Sequence, residues 1–176
     1  MKKLVYLISP NKIDQNFFAS LDKVLSFKNV KFFQLRLKNL SQKKLLNFSK
    51  RIIKITTKHK VKFIINDNFI LASKINADGC HMGQHDGSFL KARKKLKNKI
   101  FGITCHNSKK LAINAIKYNA SYIAFGSFFK SKLKHDAIKA NLNILRWAKK
   151  NVKKPIVAIG GINNKNYRKL IRAGAK

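Results

Sequence analysis

Short apolar runs alternate with longer amphipathic segments along the whole chain. The runs are almost continuously apolar, which is typical of strands in a parallel sheet that is covered on both faces. They predict seven strands, at Leu4–Ile8, Phe32–Leu37, Lys62–Asn66, Gly79–Met82, Ile100–Thr104, Tyr122–Gly126 and Ile156–Gly160. Apolar residues at helical spacing predict helices between them, at Asp14–Phe27, Ser41–Lys58 (with Ser41 as N-cap), Asn68–Lys74, Ser88–Leu96, Ser108–Tyr118, Ala137–Lys150 and Asn164–Arg172.

The repeated strand–helix order, without a hairpin signal, indicates an α/β fold with a parallel sheet. Such a sheet is either doubly wound or closed as a TIM (β/α)8-type barrel. The seven βα units are one short of a barrel, and the chain stops at LIRAGAK, where an eighth strand would begin. We therefore expect one domain over residues 1–176, truncated at its C-terminus. A barrel without its eighth strand would have a gap between the first and seventh strands, with unpaired edges that favour aggregation.

Composition adds a strong positive charge. The chain contains forty Lys and Arg residues, six Asp residues and no Glu, which gives a net charge of +34. Nucleic acid is the first partner that such a charge suggests. Thirty-four of the forty are Lys, spread along the chain beside many Ile, Asn and Phe residues, as A/T-rich codons would produce. This favours solvated lysine faces over a dedicated nucleic-acid surface, so specific nucleic-acid binding is the less favoured alternative. Phosphorylated small molecules are expected partners under either interpretation, because the positive charge attracts them.

The short N-terminal apolar run and the two cysteines indicate the cellular compartment of the protein. The apolar run Leu4–Ile8 is too short for the core of a signal peptide. No stretch approaches the roughly 20 apolar residues of a membrane span. Cys80 and Cys105 are not spaced as a metal knuckle or a redox pair, so we interpret both as reduced thiols. We therefore expect a cytoplasmic protein without a membrane partner.

The second predicted strand ends in the stretch QLRLK, which contains polar residues. Chemistry in parallel α/β folds lies at the C-terminal ends of the strands. Gln34, Arg36 and Lys38 alternate at the end of the second strand, so we expect all three to point to the same side. Cations on an inner face need an anion, because burying them unpaired is costly. This stretch therefore predicts an anion site, against the alternative of solvated cations at a strand end.

Half of the acidic residues lie in Phe63–Asp86. Asp67 follows the third strand and Asp86 follows the fourth, whereas Asp78 in NADG is typical of a turn. Helix capping would explain one aspartate. Two carboxylates after neighbouring strands favour a hard divalent cation, and Mg²⁺ commonly uses one or two protein carboxylates together with substrate phosphates.

The later strand ends offer further polar or glycine-rich segments. GITCHN brings Thr104 and His106, and FGSFFKSKLK brings hydroxyl groups and lysines. Gly160 and Gly161 in AIGGI would let backbone N–H groups approach a phosphate, although paired glycines also occur in ordinary turns.

Taken in order, QLRLK, IINDN, DGCHMGQHD, GITCHN, FGSFFKSKLK and AIGGI resemble the thiamine phosphate synthase family, which shares its fold with the thiazole tautomerases. The likeness covers nearly the whole chain, and IND followed by HxGQxD is its most specific part. It implies a TIM-barrel transferase of thiamine biosynthesis. Such an enzyme uses Mg²⁺ to join a pyrimidine methyl diphosphate to a thiazole phosphate through a pyrimidine methyl cation, releasing pyrophosphate.

The resemblance also implies a role for each matching residue. The catalytic cations that stabilise the leaving pyrophosphate would be Arg36, Lys38 and Lys134. The pyrimidine diphosphate would be held by Gln34, Arg36, Lys38 and Asn66, with Thr104 (usually Ser in the family) on the pyrimidine. Mg²⁺ would bind Asp67 and Asp86. The thiazole phosphate would meet Ser131, Lys132 and Leu133, where KSKLK replaces the family's PTxTK, and the glycines Gly160 and Gly161.

Three alternatives stay open at this point. A thiazole tautomerase of the same fold would not need Asp67, Asp86, Arg36 and Lys38 together. A basic nucleic-acid-binding protein would show clustered arginines between exposed aromatic residues, whereas most Phe residues here fall on apolar strands and helix faces. The third alternative is a truncated, inactive barrel. The oligomeric state is not predicted.

Overall fold

The computed structural model describes residues 4–38, 40–130 and 139–175. Strands and helices alternate along these residues, as the apolar pattern predicts. The strands are β1 Val5–Ile8, β2 Val30–Leu35, β3 Lys62–Asn66, β4 Gly79–Met82, β5 Ile100–Thr104, β6 Tyr122–Phe125 and β7 Ile156–Ala158. The helices are α1 Phe17–Leu25, α2 Gln42–Lys58, α3 Phe69–Lys74, α4 Phe89–Leu96, α5 Lys109–Lys117, α6 Leu142–Asn151 and α7 Tyr167–Ala173.

The strand order distinguishes the two architectures that the sequence leaves open. The seven strands follow one another as β1-β2-β3-β4-β5-β6-β7 in one sheet, with β1 and β7 at the two ends of that order. The strand pairs whose register is resolved are parallel. A doubly wound sheet reverses its order at a switch point, whereas a barrel adds each strand beside the last. The fold class is therefore the TIM-barrel type of α/β fold. The single domain over residues 1–176 stays a prediction.

Some predicted boundaries are wrong, and one of them matters for the site. β2 ends at Leu35 instead of Leu37. Arg36 and Lys38 therefore lie beyond the strand, and the alternation argument does not place them on one face with Gln34. Helix α6 begins at Leu142, after an extended Asn141 whose side chain accepts a hydrogen bond from the Asn143 N–H, so residues 139–141 do not belong to the predicted helix. The predicted start, Ala137, lies outside the described residues. Shifts of two or three residues at other ends reflect fraying and capping.

The chain divides into two compact units. The first comprises Met1–His81 with Lys94–Lys99. Its core includes Phe33 and Phe63, which face each other on β2 and β3 with ring centroids 6.3 Å apart. Ile52 from the apolar stripe of α2 is fully buried as well. Burial of this stripe, more than local helix propensity, holds the helix on the sheet.

The second unit comprises Met82–Arg93 with Ile100–Lys176. Its strands contribute the buried side chains of Phe101, Ile123 and Phe125 to the core. The continuous burial of β6 matches the continuous apolar run that predicted it.

Two further observations concern the whole described chain. Cys80 and Cys105 are both buried and free of disulfides. No helix among the described residues combines the length and the apolar character needed to cross a membrane.

Candidate active site

Gln34 lies at the end of β2 in the first unit, and its side chain is almost fully buried. Its Nε2 donates a hydrogen bond to the Tyr6 hydroxyl on β1, at 3.0 Å. Burial of an amide is tolerated when it is hydrogen-bonded. The contact with Tyr6 therefore orders the first of the predicted substrate-binding residues.

Arg36 follows directly, and residues after β1 hold it in place. The Ser9 N–H donates to the Gln34 carbonyl at 2.9 Å, and the Arg36 N–H donates to Ser9 Oγ at 2.9 Å. These bonds carry the β1–β2 contact past the end of the strand. The guanidinium Nη1 donates to Asn11 Oδ1 at 3.3 Å, which is a contact with a neutral amide. Arg36 is half-buried and Lys38 is exposed.

Three residues around this strand end were not predicted from the sequence, namely Tyr6, Ser9 and Asn11. The polar run after the first strand could have indicated Ser9 and Asn11.

Asp67 follows β3 in an unusual backbone conformation. Its φ is +63°, in the left-handed region that few residues other than glycine adopt. The Asn68 N–H donates to the Asn66 carbonyl at 2.7 Å, which is the hydrogen bond of a γ-turn. The Asp67 N–H donates to the His81 carbonyl at 2.7 Å, so the turn is tied to β4. Strain of this kind is concentrated at functional sites.

Neither candidate metal ligand is the N-cap of the helix that follows it. Asn68 caps α3, because its Oδ1 accepts a hydrogen bond from the Leu71 N–H at 2.8 Å. In the second unit, Ser88 Oγ accepts from the Lys91 N–H in the first turn of α4. Helix capping therefore does not explain why an aspartate is present at position 67 or position 86.

Asp86 lies in the turn after β4, within the second unit. Its Oδ2 accepts a hydrogen bond from the Gly83 N–H at 2.7 Å. The neighbouring Gln84 donates through Nε2 to the Thr104 carbonyl at the end of β5. Thr104 itself is half-buried. The turn that carries Asp86 is thus anchored to the strand end that carries the predicted pyrimidine contact.

Asp78 differs from the other two aspartates of its stretch. Its Oδ2 accepts from the Phe63 N–H at 2.9 Å, and its Oδ1 accepts from Lys62 Nζ at 2.8 Å. These contacts give it a structural role at the start of β3, in agreement with the turn residue that the sequence predicts.

The paired glycines after β7 adopt positive φ values of +97° at Gly160 and +62° at Gly161. A Cβ at Gly160 would overlap with Ser127, and a Cβ at Gly161 would overlap with the Lys130 carbonyl. Both positions therefore require glycine because the loop after β6 packs against them. Phosphate binding by their backbone stays a prediction. The other predicted phosphate ligands, Ser131, Lys132, Leu133 and Lys134, lie outside the described residues.

The acid–base groups indicate which chemistry the second unit can support. Burial raises the pKa of the Cys105 thiol to about 12. Because a thiolate is the reactive form, this cysteine is inert as a nucleophile near neutral pH.

Among the described residues, no group of three or more His, Cys, Asp or Glu side chains could hold a metal ion. A Mg²⁺ site does not need such a group, since one or two carboxylates suffice when phosphates and water complete the shell.

Comparison with known proteins identifies the family. Residues 5–176 match the family model described as thiamine monophosphate synthase. A thiamine-phosphate synthase from Pelagibacter ubique is 56% identical over 171 residues, covering 97% of this chain and 83% of that protein. One from Erythrobacter litoralis is 40% identical over 176 residues, with the same coverage of 97% and 83%. A solved thiamine phosphate pyrophosphorylase from Pyrococcus furiosus superposes with a TM-score of 0.86 at 30% identity, covering 99% of this chain and 82% of that one. The chain therefore belongs to the thiamine monophosphate synthase family.

Proposed function

We propose that this chain is a transferase that joins a pyrimidine methyl diphosphate to a thiazole phosphate, forming thiamine phosphate and pyrophosphate. The observation that carries the proposal is the 56% identity to a thiamine-phosphate synthase over 97% of the chain. The C–O bond between the pyrimidine methyl group and the diphosphate breaks, and its electron pair leaves with pyrophosphate. The lone pair of the thiazole nitrogen then forms the new C–N bond. No oxidant or protein nucleophile is required, which fits the inert Cys105 thiol.

The residues after β2 would stabilise the departing charge. Arg36 contacts the neutral Asn11 amide, so its positive charge is not cancelled at that contact. The Ser9 hydroxyl holds the Arg36 backbone and so limits the ordering that substrate binding must supply. Preorganised cations aimed at developing negative charge are usually a large part of catalysis. Gln34, ordered by Tyr6, would position the pyrimidine diphosphate beside them, and Lys38 would add a second cation from the exposed turn.

The magnesium ligands that we propose are Asp67 and Asp86. Carboxylate oxygens are the hard ligands that Mg²⁺ prefers, and neither Asp67 nor Asp86 is the N-cap of the helix that follows it, because Asn68 and Ser88 take that role. Magnesium, when bound, would neutralise part of the charge on the leaving pyrophosphate. Asn66 would contribute a neutral oxygen or N–H group to the same substrate.

The test is an assay of thiamine phosphate formation at a series of Mg²⁺ concentrations. Asp67→Asn and Asp86→Asn preserve side-chain shape and remove one negative charge each. We expect each to lower turnover on the order of a hundredfold or more, as the loss of one electrostatic group in a preorganised site does. Asp78→Asn is the matched control, because Asp78 has structural contacts in the same stretch. It should lower stability and leave the Mg²⁺ dependence of turnover unchanged.

Two outcomes would count against the proposal. Turnover close to that of the unsubstituted chain in both Asp67→Asn and Asp86→Asn would refute the metal assignment. Thiazole isomerisation without thiamine phosphate formation would instead favour the tautomerase.

We also infer a cytoplasmic location, on the basis of two buried cysteines that carry no disulfide. Cell fractionation would test it.

A further inference from the structure

We propose that Gly83 is a positioning residue for Asp86, and that the absence of a side chain at position 83 allows the carboxylate to be held as a metal ligand. This inference rests on the proposed function, since it concerns how a proposed magnesium ligand is oriented. It assigns a role in the reaction to a residue that has no side chain and acts through Asp86.

The first observation is a short hydrogen bond inside the turn after β4. The Gly83 N–H donates to Asp86 Oδ2 at 2.7 Å. A backbone donor paired with an ionised carboxylate makes a charge-assisted bond, which is stronger than a neutral one. Because donor and acceptor are three residues apart, the bond folds the Asp86 side chain back over its own turn and restricts its rotamers.

The second observation concerns the space beside Gly83. A Cβ built there would lie 2.7 Å from Asp86 Oδ2 and 3.7 Å from Asp86 Cγ. Within the described part of the chain, these are the only atoms that such a Cβ would meet within 4 Å, apart from residue 83 and its chain neighbours. The carboxylate therefore occupies the place that any side chain at position 83 would need.

The backbone at Gly83 gives no separate reason for glycine. The glycines with positive φ are Gly87, Gly126, Gly160, Gly161 and Gly174, and Gly83 is not one of them. Alanine can adopt the conformation of Gly83 without the cost of left-handed backbone. At Gly160, by contrast, a positive φ and close atoms of Ser127, including its Cα, both forbid it. Gly83 is thus a position where the Asp86 carboxylate is the obstacle to a Cβ.

A second hydrogen bond, made by the neighbouring Gln84, also anchors the turn. Gln84 donates to the Thr104 carbonyl, which fixes the residue next to Gly83 against the end of β5. A methyl group at position 83 would therefore displace the Asp86 side chain more easily than the anchored backbone. Displacing the Asp86 carboxylate would break its partly buried hydrogen bond with the backbone N–H of residue 83, which costs some folding free energy. It would also take the carboxylate away from the place where it could bind Mg²⁺.

The experiment compares Gly83→Ala with His85→Ala, a substitution in the same turn at a side chain that is not buried. Binding of Mn²⁺ alone is followed by the EPR signal of the free ion, and Tm is measured for each variant. We expect Gly83→Ala to weaken Mn²⁺ binding about 10- to 100-fold, as changes to groups that orient a metal ligand do. Its Tm should fall only slightly, because one partly buried hydrogen bond is lost, and a higher Mg²⁺ concentration should restore most of its kcat. His85→Ala should change neither quantity.

A double-substitution cycle separates this inference from the proposed function. In an Asp86→Asn background, Gly83→Ala should weaken Mn²⁺ binding no further, because the two act through one carboxylate. If Asp86→Asn weakens binding and Gly83→Ala does not, the positioning role is wrong while the proposed function stands. If Asp86→Asn has no effect on Mn²⁺ binding or Mg²⁺ dependence, the metal assignment itself fails. A large loss of Tm in Gly83→Ala would show that the glycine serves folding and would overturn the inference.

Discussion

Asp67 combines a proposed metal ligand with a backbone conformation that most side chains avoid. We predict that Asp67→Gly and Asp67→Ala lose Mg²⁺-dependent turnover to the same extent, because both lack the carboxylate. Their stabilities should differ. Alanine in the left-handed region costs about 1–2 kcal/mol that glycine does not, so the Ala variant should melt several degrees lower. Thermal unfolding of both proteins checks this. Equal Tm values would show that the turn at residue 67 is not strained.

Arg36 lies just after β2, where its backbone contacts Ser9 and its guanidinium contacts Asn11. We predict that Arg36→Ala slows pyrophosphate departure, because a cation that stabilises leaving charge is lost. Lys134→Ala should act in the same direction, from the likeness to the family alone. Single-turnover rates measure the step directly, and calorimetry with thiazole phosphate provides the control. Loss of thiazole phosphate affinity with normal pyrophosphate departure would mean that the two substrates are assigned to the wrong residues.

Among the elements, α1 and the end of α2 are joined by an ion cluster. Asp22 accepts hydrogen bonds from Lys58 Nζ at 3.0 Å and pairs with His59 Nε2 at 2.8 Å. The hydrogen bond with Lys58, followed by that with His59, holds the pKa of Asp22 below its ordinary value of 3.8. Since the folded chain binds this proton less tightly than the unfolded chain, the carboxylate stabilises the fold above pH 3.8. That contribution is lost as the pH falls through the lowered pKa.

We therefore predict that Asp22→Asn lowers the free energy of unfolding at neutral pH, and that its difference from the unsubstituted chain shrinks as the pH falls below 3.8. Denaturant titrations at several pH values measure this difference. Asp14→Asn is the matched control, because Asp14 is an exposed aspartate just before the same helix. A difference that stayed constant down to low pH would show that the effect of Asp22→Asn is not electrostatic.

At the scale of the whole molecule, the net charge of +34 acts on both stability and catalysis. Salt screens repulsion among the lysines and also screens their attraction for anionic substrates. We predict that added NaCl raises Tm while it lowers kcat/KM for the two phosphorylated substrates. A neutral crowding agent at equal osmolality is the control. If kcat/KM did not depend on salt, the excess of lysine would be irrelevant to substrate capture and would reflect codon composition alone.

Much of the fold was readable from the sequence because strand and helix periodicities are local. β3, β4 and β5 begin and end at the residues that the apolar runs predict. The order of the motifs also placed Asp67 and Asp86 just after strands, and identified the family that the comparisons show. The end of β2 was misplaced, because an apolar Leu37 extends the run while the strand itself stops at Leu35.

Only the tertiary structure decided what each polar residue contacts, because those partners are set by strand register and by neighbours distant in sequence. Helix capping was the alternative that the sequence left open for Asp67 and Asp86, and the structure removes it because Asn68 and Ser88 take that role. Ser9 supports Arg36 from 27 residues away, a contact that depends on how β1 and β2 are paired. Gly83 and Asp86 are close in sequence, but their contact depends on the conformation of the turn, which the sequence does not show. The sequence shows a glycine in a motif, and the folded turn shows the carboxylate that occupies the place of its missing side chain.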